Sequence, residues 1–150
     1  MRIRAARLED AAEIARLAAE LGYPNDVAAM HARLRELLSR SEHWVGVAEE
    51  VGQGAALAGW VHVARCVSVE GGAGAEILGL VVDAHTRRAG LGRRLVDSAE
   101  QWGRARGLAC ITVRSNAARV ESHPFYAALG YARPKTQHVY QKQLNGHESA

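Results

Sequence analysis

The run Glu76-Ile77-Leu78-Gly79-Leu80-Val81-Val82 is almost wholly apolar, and a few residues after it comes Arg87-Arg88-Ala89-Gly90-Leu91-Gly92-Arg93-Arg94. A strand without polar alternation must be covered on both faces, so it belongs in the middle of a sheet. Leu91, Leu95, Ala99 and Trp102 then recur at helical spacing, with Gly107 placed to end the helix. The chain therefore contains a buried strand, a loop rich in glycine and arginine, and a helix. The first turn of a helix leaves backbone N–H groups without partners, and the helix dipole adds partial positive charge there. Glycines at 90 and 92 remove the Cβ atoms that would keep an anion off the backbone, and four arginines surround the spot. Such a segment suits a pyrophosphate.

The rest of the chain supplies the frame. Arg2 to Ala6 reads as a short strand. Ile14, Leu17, Ala18 and Leu21 mark an amphipathic helix with one buried face; Asp10 suits its positive end and Gly22 its stop. Asn25 or Asp26 can cap a second helix carrying Val27, Met30, Leu34, Leu37 and Leu38. Trp44, Val45 and Val47 lie in a strand, and Leu57 to Val69 is a longer one with Val61, Val63 and Val67 on one face. Beyond the arginine loop and its helix, Ala109 to Val113 predicts another buried strand. Pro124 to Leu129 predicts a short helix stopped by Gly130. Tyr131 then opens a closing pair of strands through Val139, Tyr140 and Leu144, and residues 145–150 read as a tail. No repeat or linker interrupts residues 1–144, so one domain is expected. The order predicts an α/β fold, a single sheet with helices on both faces.

Residue identity separates the common phosphate motifs. A P-loop ends in Gly-Lys-Ser/Thr, whereas Gly92 is followed by Arg93-Arg94. The dinucleotide fingerprint places a third glycine where this chain has Leu95. What fits is Arg-x-x-Gly-x-Gly from Arg87 to Gly92, preceded by Leu80-Val81-Val82-Asp83. This resembles motif A of the GNAT N-acetyltransferase superfamily. The resemblance extends over nearly the whole chain, from Ile3-Arg4-x-Ala6-x-x-x-Asp10 to Phe125-Tyr126-x-x-x-Gly130-Tyr131.

The resemblance implies the acyl-CoA N-acyltransferase fold, a mixed, mostly antiparallel central sheet with a splayed centre. It implies acetyl-CoA as the acyl donor, with the pantetheine arm along Leu80, Val81 and Val82. The amides of Arg87, Arg88, Ala89, Gly90, Leu91, Gly92 and Arg93 would hold the pyrophosphate, with Asn116 as a further CoA contact. The family usually has proline where this chain has Ala84. Tyr126 matches the tyrosine that faces the CoA sulfur, and a phenol can exchange a proton with a thiolate at small thermodynamic cost. Glu76 matches a carboxylate that deprotonates the amine through water; Glu121, His123 or water alone are the alternatives. The expected activity is direct acetyl transfer to a primary amine of a small molecule or peptide. Alternatives are toxin-like acetylation of aminoacyl-tRNA and a CoA-binding sensor without turnover. Tyr23, Asn25, Asp26, Trp60, His62 and Tyr140 are candidates for the acceptor pocket. Many relatives form homodimers, which leaves a homodimer open here.

Composition narrows the partners. A formal charge of +3 is a modest excess, partly clustered in the arginine loop, which argues for a small polyanion rather than a nucleic acid. No stretch approaches the roughly 20 apolar residues that span a bilayer, and the charged start lacks a signal-peptide core, so no membrane partner and a cytoplasmic location are expected. Cys66 and Cys110 sit inside strand-like runs and are expected to be buried thiols. His43, His62, His85 and His138 lack ligand spacing, so no metal is expected.

Overall fold

Alternation along the strands and helical periodicity between them build a five-stranded sheet in the order β1-β2-β3-β4-β5. The structure, a computed structural model, describes residues 1–52, 54–86, 90–115, 117, 119 and 121–145. They form two units, Met1–Arg114 and Ser115–Ala150. In the first, β1 (Arg2–Ala5), β2 (His43–Glu49), β3 (Leu57–Ser68) and β4 (Gly72–Val82) pair antiparallel in succession. β5 (Ile111–Val113) joins β4 in parallel. The sheet is mixed and mostly antiparallel, as expected.

Cross-strand partners share a face of a sheet, so the register sorts the side chains. Val45, His62 and Gly79 form one row and Val47, Trp60 and Val81 the next, on the face covered by α1 (Ala11–Glu20) and α2 (Val27–Leu38). There Ile14, Leu17 and Leu34 are buried against Val45, Val47 and Val81. The opposite face carries Gly59, Val61, Val63 and Ile77 and receives α3 (Leu91–Ala105) through Leu91, Leu95, Val96, Ala99 and Gly103. A side chain at Gly59 would meet the Val81 carbonyl at 2.7 Å and Leu95 at 3.1 Å, so glycine there sets how closely α3 approaches the sheet.

The ends of the helices follow the expected chemistry. Asp26 Oδ1 accepts the Ala29 N–H at 2.7 Å and caps α2. Gly22 follows α1 with φ +86°, in the left-handed region that suits glycine. Asp10 does more than face a helix end. It closes a 3-10 turn, Leu8–Asp10, directly before α1, and is only 7% exposed. Arg4 grips it with two hydrogen bonds, Nη1 to Oδ2 at 2.8 Å and Nη2 to Oδ1 at 2.9 Å, while the Arg7 N–H donates to Oδ2 at 2.7 Å. Burial works to raise this carboxyl; the Arg4 hydrogen bonds, the Arg7 N–H and the two positive charges outweigh it and hold the carboxyl below its ordinary value.

Three expectations are corrected in this unit. Leu78 is half exposed, so the apolar run is not covered evenly on both faces; a bulge takes Leu78 out of the ladder, as described below. Both cysteines are exposed. β2 pairs with β3 only as far as Ala64, so the stretch containing Cys66 continues as a two-stranded ribbon with less cover. Cys110 precedes β5, which begins at Ile111 rather than at Ala109 and is only partly buried.

The second unit contains α4 (Ser122–Ala128), with Pro124 in its first turn and Gly130 behind it at φ +90°. No closing strands form: residues 131–144 carry no regular secondary structure. Val139, Tyr140 and Leu144 are about nine-tenths exposed. Apolar residues in this stretch are few and mostly exposed, which gives strand propensity little to act on, and Pro134 removes one N–H donor. No helix among the described residues is long and apolar enough to cross a membrane.

Candidate functional site

The geometry of β4 decides what the first unit can bind. His62 pairs with Gly79 and Val63 with Ile77, so Leu78 is an extra residue opposite no partner on β3, a β-bulge. On its other side β4 pairs with β5 only at Ala75, Glu76 and Ile77. From Leu78 to Val82 that edge has no strand partner among the described residues. This is the splay expected of the sheet, and it leaves main-chain groups of Leu80, Val81 and Val82 able to bond an extended ligand. Val81 is buried, whereas Leu80 and Val82 are partly exposed.

The chain leaves this edge through an ordered turn. Asp83 donates its N–H to the Ala58 carbonyl at 2.7 Å, and its Oδ1 accepts the His85 N–H at 2.8 Å. Arg16 of α1 reaches Asp83 Oδ2 at 3.3 Å and the Leu57 carbonyl at 3.1 Å, fixing the root of the loop to α1 and β3. Ala84–Thr86 forms a 3-10 turn without the proline usual at 84. Arg87, Arg88 and Ala89 lie outside the described residues, as does Asn116. Gly90 stands before α3 at φ +75°, with no side-chain cap and open space where a Cβ would be. The first-turn N–H groups of Leu91, Gly92 and Arg93 thus open α3 without a side-chain acceptor at the cap. Leu91 is buried and anchors that end; Arg93 is exposed. Arg94 departs from the expected cluster, since its Nη2 donates to the Met1 carbonyl at 3.2 Å.

On the α1/α2 face, Trp60 covers Gly79: a Cβ at that glycine would lie 2.7 Å from the indole ring. His62 sits beside it, and its Nε2 lies 3.0 Å from Nδ1 of His43 on β2. Burial first, then the neighbouring His43 charge, lower the His62 pKa to about 4. Glu76 pairs with Ala64 and shares this face. Its Oε1 accepts Arg114 Nε–H at 2.7 Å and its Oε2 accepts the Cys66 thiol at 3.4 Å. Among the other acceptor candidates, Asp26 is occupied as a cap and Asn25 accepts from Arg33 at 2.7 Å; Tyr23 is exposed.

In the second unit Tyr126 is half-buried on α4, in edge-to-face contact with Phe125 and Tyr131 at ring separations of 5.0 and 5.8 Å. Burial pushes its phenol above the ordinary value, against a smaller opposing effect of Arg119, so it holds its proton at neutral pH. His123 and Glu121 are exposed, and Glu121, at the cap position of α4, makes no side-chain cap bond. Tyr140 is exposed.

Of the residues the sequence reading grouped, Glu76, Leu80–Val82 and Gly90–Arg93 lie in the first unit and Tyr126 in the second, while Arg87–Ala89 and Asn116 lie outside the described residues. That reading missed His43, Arg114 and Cys66 as neighbours of the site. Their partners stand 19, 38 and 10 residues away in sequence. Only the strand register brings them together.

The model for the acetyltransferase (GNAT) family matches residues 8–131. No curated protein matches the chain in sequence. Solved structures do match its fold. The aminoglycoside 6′-N-acetyltransferase AAC(6′)-Ig from Acinetobacter haemolyticus shares 17% identity, with 97% of this chain and all of that one covered and a TM-score of 0.81. Glucosamine-6-phosphate N-acetyltransferase from Arabidopsis thaliana shares 19%, with 95% and 98% covered and a TM-score of 0.79. An aminoglycoside N-acetyltransferase, AAC(6′)-Iy, in complex with CoA shares 17%, with 95% and 99% covered and a TM-score of 0.79.

Proposed function

Because the chain belongs to the acetyltransferase (GNAT) family, we propose that it transfers an acetyl group directly from acetyl-CoA to a primary amine of a small molecule or peptide. One observation carries this reading: the β4 edge from Leu78 to Val82, left open by β5, runs toward an uncapped, glycine-led helix start. Leu80, Val81 and Val82 offer main-chain groups to the amides of a pantetheine arm. The N–H groups of Leu91, Gly92 and Arg93 offer donors and a favourable dipole to the pyrophosphate. Arg87, Arg88, Ala89 and Asn116 complete the CoA contacts in this reading.

Direct transfer needs an amine able to attack, a polarised thioester carbonyl and a proton for the departing thiolate. Tyr126 supplies that proton, and its raised phenol keeps it available. Glu76 already holds donors on both oxygens, from Arg114 and Cys66. Its part is to accept an N–H of the incoming neutral amine with its remaining lone pairs. The solved relatives named for aminoglycosides and for an amino-sugar phosphate suggest starting with small polar amines.

Acetyl-CoA is expected to raise the melting temperature, by a stabilisation of about 2.7 kcal/mol at a hundred times its dissociation constant. Changing both Gly90 and Gly92 to Val should remove that response and leave the ligand-free fold formed, as read by circular dichroism. A double variant that still binds acetyl-CoA puts the pyrophosphate elsewhere. Thiol release across aminoglycosides, polyamines, amino acids and short peptides then tests the acceptor. Binding of acetyl-CoA with no release from any amine favours a sensor.

A further inference from the structure

We propose that His62 and His43 form a two-imidazole proton relay beside the open edge of β4, with His62 taking the proton that the acceptor amine gives up as it bonds to the acyl carbon. The proposal rests on the acyl-transfer reading above and adds the group that receives this proton.

Place comes first. His62 is the β3 partner of Gly79, the residue immediately after the Leu78 bulge, where β4 loses its pairing to β5. Of the β3 residues on the α1/α2 face that pair with the open stretch of β4, His62 and Trp60, only His62 can take up a proton. Trp60, the next residue of β3 on this face, roofs Gly79 and helps screen the spot from water.

The second observation is the pair itself. The two rings meet through His43 Nδ1 and His62 Nε2 at 3.0 Å, tilted by 32°. A hydrogen bond between two imidazoles needs one N–H and one lone pair, so the pair shares at least one uncharged ring. His62 Nδ1 has no protein hydrogen bond among the described residues, and it can meet an amine or a bridging water. Burial, reinforced by His43, lowers the His62 pKa to about 4 and keeps the ring neutral through the physiological range; with its Nε2–H donated to His43 Nδ1, its lone pair stands on Nδ1. The other charged groups placed on this face among the described residues are Glu76 of β4 with Arg114, bound to each other, and, toward β1, Arg4 with its partners Asp10 and Glu49. The core residues that α1 and α2 contribute are apolar.

The step balances as follows. The neutral amine nitrogen forms a bond to the thioester carbonyl carbon as the C=O π pair moves onto the oxygen; the nitrogen becomes positively charged, which makes its N–H far more acidic than in the free ammonium. That N–H bond breaks and the proton bonds to His62 Nδ1. The proton on His62 Nε2 passes to His43 Nδ1, and the proton on His43 Nε2 leaves to water. The oxygen pair then re-forms the carbonyl as the C–S bond breaks, and the thiolate takes its proton from Tyr126. A weakly basic imidazole suits this stage, because it accepts from an acidic adduct and releases readily to the relay. Glu76, engaged by Arg114 and Cys66, is the poorer recipient.

The test measures kcat and KM for an accepted amine from about pH 5 to 9 with the wild-type chain, His62→Gln and His43→Asn, alongside melting temperature and acetyl-CoA affinity. His62→Gln should cut kcat about 100-fold or more while both controls stay near wild type. His43→Asn should lose less, and the acid limb of its kcat/KM profile should move upward, since the charge that lowers His62 is gone. Nitrogen-15 NMR of the wild-type imidazoles supplies a readout independent of turnover: His62 should stay neutral down to the neighbourhood of pH 4. Turnover by His62→Gln within about threefold of wild type, far short of what a positioned base contributes, overturns the relay. So does a His62 ring that carries its proton on Nδ1 rather than Nε2 at neutral pH, since Nδ1 then has no lone pair to accept with. No acetyl transfer by the wild-type chain would overturn the acyl-transfer reading and the relay together; transfer that survives His62→Gln overturns the relay alone.

Discussion

Tyr126→Phe is expected to lower kcat by about 10²–10³-fold, in line with the worth of a positioned general acid, while acetyl-CoA affinity and melting temperature change little. The substitution removes one oxygen and keeps the ring that contacts Phe125 and Tyr131 edge to face. As proposed, the phenol protonates the departing thiolate, and its burial keeps it in the protonated form. The loss should therefore depend on the leaving group. A thioester whose thiol has a lower pKa needs less help, so the gap between variant and wild type should narrow with such a donor. A tyrosine that serves packing alone predicts the reverse pattern, a lower melting temperature with turnover of the folded fraction nearly preserved. Steady-state rates with two donors, measured on material whose melting temperature is known, separate the two. Near-normal turnover removes Tyr126 from the mechanism.

Asp10→Asn should destabilise the fold by about 3 kcal/mol, the scale for removing one partner of a buried ion pair. For a chain of this length that corresponds to a fall in melting temperature of roughly 6–12 °C. The amide can still accept the Arg7 N–H, but it carries no charge for Arg4, whose mostly buried side chain then keeps only Glu49, at 3.4 Å, as a charge partner. The pH dependence gives the sign. Asp10 has a folded pKa below its unfolded value, so its stabilisation is complete above the unfolded value of about 4 and is lost as pH falls through the folded one. The difference between wild type and variant should accordingly be full at neutral pH and close in acid. Thermal melts at several pH values check this, and a gap that persists unchanged in acid would assign the loss to packing instead. Replacing both partners, Arg4→Met with Asp10→Leu, should cost less than the single change, because no uncompensated charge remains.

Much of this was legible along the chain. The periodicity of Ile14, Leu17 and Ala18, the cap at Asp26 and the stops at Gly22 and Gly130 all depend on interactions within a few residues. Local physics of that range is written directly in the order of side chains. The glycine at 90 before a helix was legible for the same reason. So was the likeness of Ile3 to Asp10 and of Phe125 to Tyr131 to one family, and the family match covers most of the chain.

Other features depend on register, which is a relation between distant segments. Whether Leu78 falls out of the ladder depends on how β3 and β4 are aligned, and the run of apolar residues reads the same with or without the bulge. The contacts of His43 with His62 and of Arg114 with Glu76 follow from that alignment. Cys66 is exposed because β2 stops short of it, a matter of relative strand length rather than of its own neighbours. Tyr131 to Leu144 shows the converse, a stretch expected as strands that carries no regular secondary structure, since strand propensity is weak without burial. The sequence determined by itself the helices, their ends, the glycine-led turn before α3 and the family. Tertiary structure alone decided where β4 parts from β5 and which side chains stand beside that opening, because both are set by hydrogen bonds between strands far apart in the chain.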